Sequence, residues 1–330
     1  MRLKNLLPCL YLGLSACSTL NTPPEAVQVF VDKLVNEHQF DRAELSDLMS
    51  PLQPQADILK KITRPAEALP WYRYRKLFLN DSRIDEGVKF WQDHAQLLAE
   101  AQRRYGVPAE IIVAIIGVET RYGQHTGKHR VLDALYTLAF DYPARSAFFQ
   151  KELENYLLLC REEHLNPADL LGSYAGAMGM PQFMPSSFRN YAADFDRDGR
   201  RDIWHNDADV IASIANYFAK HHWQVGQGIA LPATVSGTHY QRALNNTLKP
   251  DLRLAELESL DLKISVPLAL DTKVKVLALK QEQGEELWVG LDNFYCLTRY
   301  NQSPLYAMAV FQLSQAIVNK LALNRKGAFP

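Results

Sequence analysis

Residues 111–118 read I-I-V-A-I-I-G-V, eight apolar or glycine positions in succession, and the ninth is Glu119. A segment without a polar face is stable only inside protein, so this stretch specifies a helix buried on every side. Pro108 suits its first turn, where the missing N–H would be unpaired anyway. The stop comes from Arg121-Tyr122-Gly123, with Gly123 able to take a left-handed cap. One carboxylate is thus delivered to the rim of a dry core. Lost hydration disfavours the charged form of such a group, which is what a general acid working near neutral pH needs. The alternative is a carboxylate paired with Arg121 or solvent at an ordinary helix end.

The N-terminus reads as a targeting signal over residues 1–16. Arg2 and Lys4 make a basic start, and residues 6–14 form a hydrophobic run too short to span a bilayer. The run ends in L-S-A-C, which resembles the lipobox of bacterial lipoproteins, where cleavage precedes a cysteine that is then lipidated. Cys17 is therefore the expected lipidation site, with residues 17–24 as a tether. An ordinary secretory signal is the alternative. Ser18 in place of aspartate is similar to Gram-negative lipoproteins of the outer membrane, which implies an anchor facing the periplasm. A lipid on one residue holds a protein to a membrane without threading it through. Without Arg2 and Lys4 the formal charge moves from −1 to −3, which gives no reason to expect nucleic acid as a partner. Cys160 and Cys296 would remain in an oxidising compartment, but Cys160 follows Y-L-L-L like a buried thiol, and no disulfide is expected.

A mature chain from Cys17 to Pro330 exceeds the size one core usually serves, so subdomains are expected. Residues 25–100 carry helical spacing, as in Val27, Phe30, Val31, Leu34 and again in Phe90, Trp91, His94, Leu97. Within them W-Y-R-Y-R-K-L-F at 71–78 is either an amphipathic structural stretch or a wall for sugar rings. Helices are expected across 101–231 and 291–330. Between these, 262–266, 273–280 and 286–291 are short β-like runs, with a hairpin turn at 281–285. The class is mainly α with a small β insertion at 232–290.

Residues 173–187, S-Y-A-G-A-M-G-M-P-Q-F-M-P-S-S, follow neither the helical nor the strand period. Their glycines let backbone approach a ligand closely. Ser173 and Gln182 offer hydrogen bonds, while Phe183 and Met184 offer an apolar floor, a combination suited to an amino sugar. This run, the G-V-E-T-R-Y-G at 117–123 and the N-F-Y-C-L-T-R-Y-N at 293–301 together closely resemble the membrane-bound lytic murein transglycosylase B family. The resemblance implies a lysozyme-like helical core, an N-terminal helical domain and a small β domain. It also implies Glu119 as the sole catalytic carboxylate, with Ser173, Gln182, Tyr217, Tyr295 and Tyr300 in substrate binding; the alternative for Tyr217 and Tyr295 is an ordinary core aromatic. Peptidoglycan glycan strands are the implied partner. Cell-wall synthesis or lytic enzymes are further candidate partners, and the chain is expected to act as a monomer.

D-F-D-R-D-G-R-R-D at 194–202 matches the opening of an EF-hand loop, with Asp194, Asp196, Asp198, the Arg200 position and Asp202 at alternating places and Gly199 at the sharp turn. Position twelve is His205, a poor ligand for a hard cation. The resemblance implies a lengthened calcium loop closed by Asp209. A structural Ca²⁺ is expected, with no cofactor for the chemistry. The alternative is a solvated acidic turn.

Glycosidases commonly use two carboxylates, and here the motifs offer one. The resemblance implies that Glu119 acts first as acid and then as base, with the muramoyl 6-hydroxyl as nucleophile and a 1,6-anhydro product. A hydrolytic muramidase on the same fold and a non-catalytic peptidoglycan-binding lipoprotein are the competing readings.

Overall fold

A computed structural model describes residues 25–63 and 69–327. The signal segment, Cys17 and the tether lie outside them. The described residues fall into two compact units that meet in sequence between Leu52 and Gln53.

The first unit holds α1 (Glu25–His38) and α2 (Arg42–Met49). Val27, Phe30, Val31 and Leu34 make the buried stripe of α1. Asp41 caps α2 by accepting the Glu44 N–H at 2.9 Å.

The second unit contains α3 (Ala56–Ile62), α4 (Trp71–Tyr74), α5 (Asp81–Asp93), α6 (Ala95–Tyr105), α7 (Ala109–Thr120), α8 (Val131–Asp141), α9 (Ser146–Glu162), α10 (Pro185–Tyr191), α11 (Asp207–Lys220), α12 (Asp292–Tyr300) and α13 (Pro304–Gly327). Helix α7 is the axis: α5, α6, α11 and α13 all pack on it, and its side chains from Ile111 to Ile116 are fully buried. Burying each isoleucine or valine among them contributes about 1.5–3 kcal/mol. Pro108 sits one place earlier than expected, as the extended N-cap residue at φ −60 and ψ 140, and Gln102 Oε1 accepts the Ala109 N–H. Helix α3 packs on α8, and α5 and α6 pack on α7, within the second unit.

β1 (His129–Arg130) and β2 (Leu171–Gly172) form a small antiparallel pair. β3 (Ala230–Val235), β4 (Leu252–Arg253), β5 (Leu262–Ile264), β6 (Lys273–Lys280) and β7 (Glu285–Gly290) form an antiparallel sheet ordered β4-β6-β7-β3-β5. Val274, Val276, Leu287 and Val289 bury one face against Leu257 and Leu262. The hairpin turn is closed by Gln281 N–H to Gly284 O at 3.1 Å. Sequence reading missed β3 and β4. Pro232 interrupts β3 where it has a neighbour only on the β7 side, since β5 pairs with residues 233–235 alone, and β4 is two residues long.

Cys160 and Cys296 are separate buried thiols, each pushed up to about 12 by burial. Among the described residues no helix is long and apolar enough to cross a membrane.

Candidate active site

Helix α7 does not wait for Gly123 to stop. Arg121, Tyr122 and Gly123 are all left-handed, at φ 52, 57 and 85. For residues with a Cβ this costs roughly 1–2 kcal/mol each, so tertiary contacts must hold the turn. Arg121 donates to both oxygens of Glu86 on α5, at 2.8 and 2.6 Å. Tyr122 stacks on Phe90 and gives its hydroxyl proton to the Arg83 carbonyl at 3.0 Å. Its hydroxyl also fills the space over Gly117, where an added Cβ would lie 2.5 Å from that oxygen. Gly117 is therefore small to admit the tyrosine that fixes the helix end. Thr120 donates to the Met180 carbonyl at 3.1 Å and accepts the Gly123 N–H, tying this end to the glycine-rich loop.

Glu119, half-buried at this fixed end, is not the partner of Arg121, which is committed to Glu86. Its Oε1 accepts the Tyr306 hydroxyl at 2.5 Å. Tyr306 lies in the first turn of α13 and is buried; burial, with the nearby Glu119 charge, holds its pKa well above the ordinary tyrosine value. It is therefore a neutral donor. Sequence reading missed it. The available signal was Pro304, which starts a helix and so places Tyr306 in its first turn, six residues after Tyr300.

Tyr300 joins two of the three sequence motifs. Its hydroxyl donates to the Pro181 carbonyl at 2.6 Å, and its ring lies within 8° of parallel to that of Tyr306, centroids 6.4 Å apart. Ser173 Oγ accepts the N–H groups of Ala175 and Ala177, shaping its own loop. Gln182 is left-handed at φ 51 and donates its amide to Thr126 O and Gly179 O at 3.0 and 2.9 Å. What Gln182 can offer a ligand is its carbonyl oxygen. Met184 is half-buried at the N-cap of α10.

Two expected surface contacts are corrected. Phe183 is 2% and Tyr217 7% exposed; Phe183 packs on Tyr217 and Tyr300, and Tyr217 donates to Arg299 O at 2.5 Å. They brace the wall from behind. Tyr295 is half-buried on α12 under Arg299 and makes no described contact with the Glu119 group. The 71–78 stretch is structural at Trp71 and Tyr74, both buried.

In the acidic loop, oxygens of Asp194, Asp196 and Asp209 lie within 4.8 Å of one another. Asp209 is fully buried at the start of α11, and burial, helped by the charges of Asp196 and Asp194, pushes its pKa up to about 6. Its oxygens also accept the N–H groups of Phe195 and Asp202. Hard oxygen donors converging on one buried carboxylate fit a calcium ion. Asp198 and Asp202 are outside this trio: Asp198 accepts the Arg200 N–H, and Asp202 accepts those of Trp204 and His205. Arg200 contributes no carboxylate, and only its main chain is suited to a cation.

Comparison with known proteins bears on this arrangement. The family described as transglycosylase SLT domain matches residues 23–315, and the chain belongs to that family. It is 42% identical over 300 residues, 88% of this chain and 82% of the relative, to the membrane-bound lytic murein transglycosylase B of Escherichia coli strain K12. Among solved structures, the catenated lytic transglycosylase SltB1 of Pseudomonas aeruginosa superposes with TM-score 0.87 at 46% identity, covering 91% of this chain and 99% of that one. The Escherichia coli lytic transglycosylase SLT35 in complex with calcium gives 0.83 at 42%, covering 90% and 94%. SltB3 of Pseudomonas aeruginosa in complex with NAG-NAM-pentapeptide gives 0.78 at 29%, covering 89% and 80%. The lysozyme-like, mainly α class is that of these neighbours.

Proposed function

We propose that Glu119 is the single acid–base of a lytic transglycosylase that cleaves the MurNAc–GlcNAc β-1,4 bond of peptidoglycan. The enzyme class follows from the family and its relatives. What supports the residue assignment is the placement of one carboxylate at a rigid helix end, oriented by the Tyr306 hydroxyl. Glu119 in its acid form gives its proton to the glycosidic oxygen, and the bond from that oxygen to the muramoyl C1 breaks. The substrate's own N-acetyl oxygen stabilises C1. Glu119, now a carboxylate, takes the proton of the 6-hydroxyl, whose oxygen bonds to C1. No water is consumed, and the acid form is restored. A nucleophile already on the same ring gains from proximity.

Tyr306 positions Glu119. Ser173 and the Gln182 carbonyl are the polar contacts to the amino sugar, with Met184 and Tyr300 on the wall. A calcium ion held by Asp194, Asp196 and Asp209 would pin the loop before α11 and takes no part in the chemistry. A lipid on Cys17 would anchor the protein to the outer membrane facing the periplasm, in keeping with the membrane-bound relative. Mass spectrometry of digested sacculi tests the reaction. Anhydro ends, one water lighter than hydrolytic products, are expected; reducing muramoyl ends would make the enzyme a hydrolase.

A further inference from the structure

Strand β6 has one edge that its own sheet leaves open. The turn bond between Gln281 and Gly284 and the register Lys275↔Gly290 to Lys280↔Glu285 point the main-chain groups of 275, 277 and 279 at β7. Those of 274, 276, 278 and 280 point the other way. There Val274 O accepts the Asp251 N–H, and pairing with β4 ends at Lys273 and Val274. Val276, Ala278 and Lys280 have no backbone partner on that edge among the described residues. This open stretch is about 17 Å of strand, and as far as Leu279 it lines a cavity of about 640 Å³. The opposite wall is the loop with Asn245, Asn246 and Thr247, held in place because the buried Lys275 ammonium bonds Asn245 and Asp251. The third side is Gln302, Pro304 and Leu305, the turn between Tyr300 and Tyr306.

We propose that this cavity takes the peptide arm of the glycan strand, added as an extended strand along the open edge of β6. Strand addition supplies affinity through main-chain hydrogen bonds whatever the side chains are. Amide and hydroxyl groups on the facing loop complement peptide groups, whereas the cavity lacks the exposed aromatic platform a sugar ring would use. The open edge matches a short peptide in length. Its neighbour is the turn that carries Tyr306, so an arm bound here stays covalently within reach of the bond being cut. The relative SltB3 is a protein captured with a disaccharide pentapeptide. The inference rests on the reading of Glu119 as the cutting residue and names what the adjoining surface recognises.

The test compares kcat/KM on glycan strands carrying pentapeptide arms with strands of equal length stripped of peptide. Wild type is expected to favour the peptide-bearing strands by about tenfold, the worth of one or two net hydrogen bonds. Ala278→Pro removes an N–H that no ladder bond uses, and Asn246→Ala trims the facing loop. Both should shrink that preference while leaving rates on stripped strands unchanged. Equal wild-type kcat/KM on the two substrates would overturn the proposal, as would a preference that survives Ala278→Pro. If Ala278→Pro fails to fold, a full preference in Asn246→Ala overturns it instead. The Glu119 reading fails separately, through absence of anhydro ends from stripped strands.

Discussion

Tyr306 and Glu119 are 187 residues apart in the chain and 2.5 Å apart in space. A neutral hydroxyl donating to a carboxyl oxygen fixes the orientation of that carboxyl group without supplying or removing a proton. Tyr306→Phe keeps the ring, its packing and its stacking on Tyr300 but deletes the donor. A hydrogen bond to a charged group is worth about 1.5–3 kcal/mol, so kcat should fall by roughly 10–100-fold, with KM changing little and the melting temperature near wild type. An unchanged kcat would show that Glu119 needs no such partner. Glu119→Gln is the complementary variant. An amide cannot give and reclaim a proton, so turnover should drop by at least ~10²–10⁴-fold while sugar binding persists. A folded variant keeping a tenth of wild-type turnover would remove Glu119 from the mechanism.

At the scale of elements, α7 and its exit turn decide where the acid sits. Gly117→Ala forces a methyl into the Tyr122 hydroxyl, so overpacking should cost about 1–3 kcal/mol. Because Tyr122 fixes the turn after Glu119, activity should fall further than stability alone explains. A thermal scan beside rates measured well below the transition separates the two effects. The apolar run of α7 was legible in the sequence because all-round hydrophobicity is a local property with one structural outcome. The spacing of the β6–β7 hairpin was legible for the same reason. Tyr306 was not, since a tyrosine in a hydrophobic helix start gives no sign of which side chain it meets across the fold. That Phe183 and Tyr217 are buried was not legible, because a motif gives residue types but not which way each side chain faces. That α5 and α6 pack on α7 was not legible, because both carry ordinary amphipathic spacing and only packing reveals their partner. In the acidic loop the spacing of aspartates was visible, but which of them converge depends on the turn geometry that ties up Asp198 and Asp202. If Asp194, Asp196 and Asp209 hold calcium, millimolar calcium should raise the melting temperature by binding only the folded state, magnesium should do less, and Asp196→Ala should erase the shift. No shift at about ten millimolar calcium, above the range in which extracellular modules bind, would leave the loop an acidic turn.

For the whole molecule, the question is how a protein with no described membrane-crossing helix comes to work on a polymer beside a membrane. The described residues begin at Glu25, and the lipid anchor proposed on Cys17 lies before them. L-S-A-C puts Cys17, the proposed lipidation site, immediately before a short run of small polar residues. Lipid on that residue gains about 0.8 kcal/mol per buried methylene, and more than one chain is needed for stable anchoring, as lipoprotein acylation provides. Glu119 and Tyr306, the residues proposed for the cleavage, belong to the second unit, so removing the proposed anchor should change location and not chemistry. Cys17→Ala is expected to move the protein from the membrane fraction to the soluble periplasmic fraction, with unaltered kcat on soluble glycan strands and slower attack on intact sacculi, where anchoring raises the local concentration. Labelled palmitate should mark the wild type and not the variant. A wild-type chain that stays unlabelled while a known lipoprotein takes up label, or a Cys17→Ala variant that remains with the membranes, would mean that the hydrophobic run is an ordinary cleaved signal and that the protein reaches its substrate unanchored.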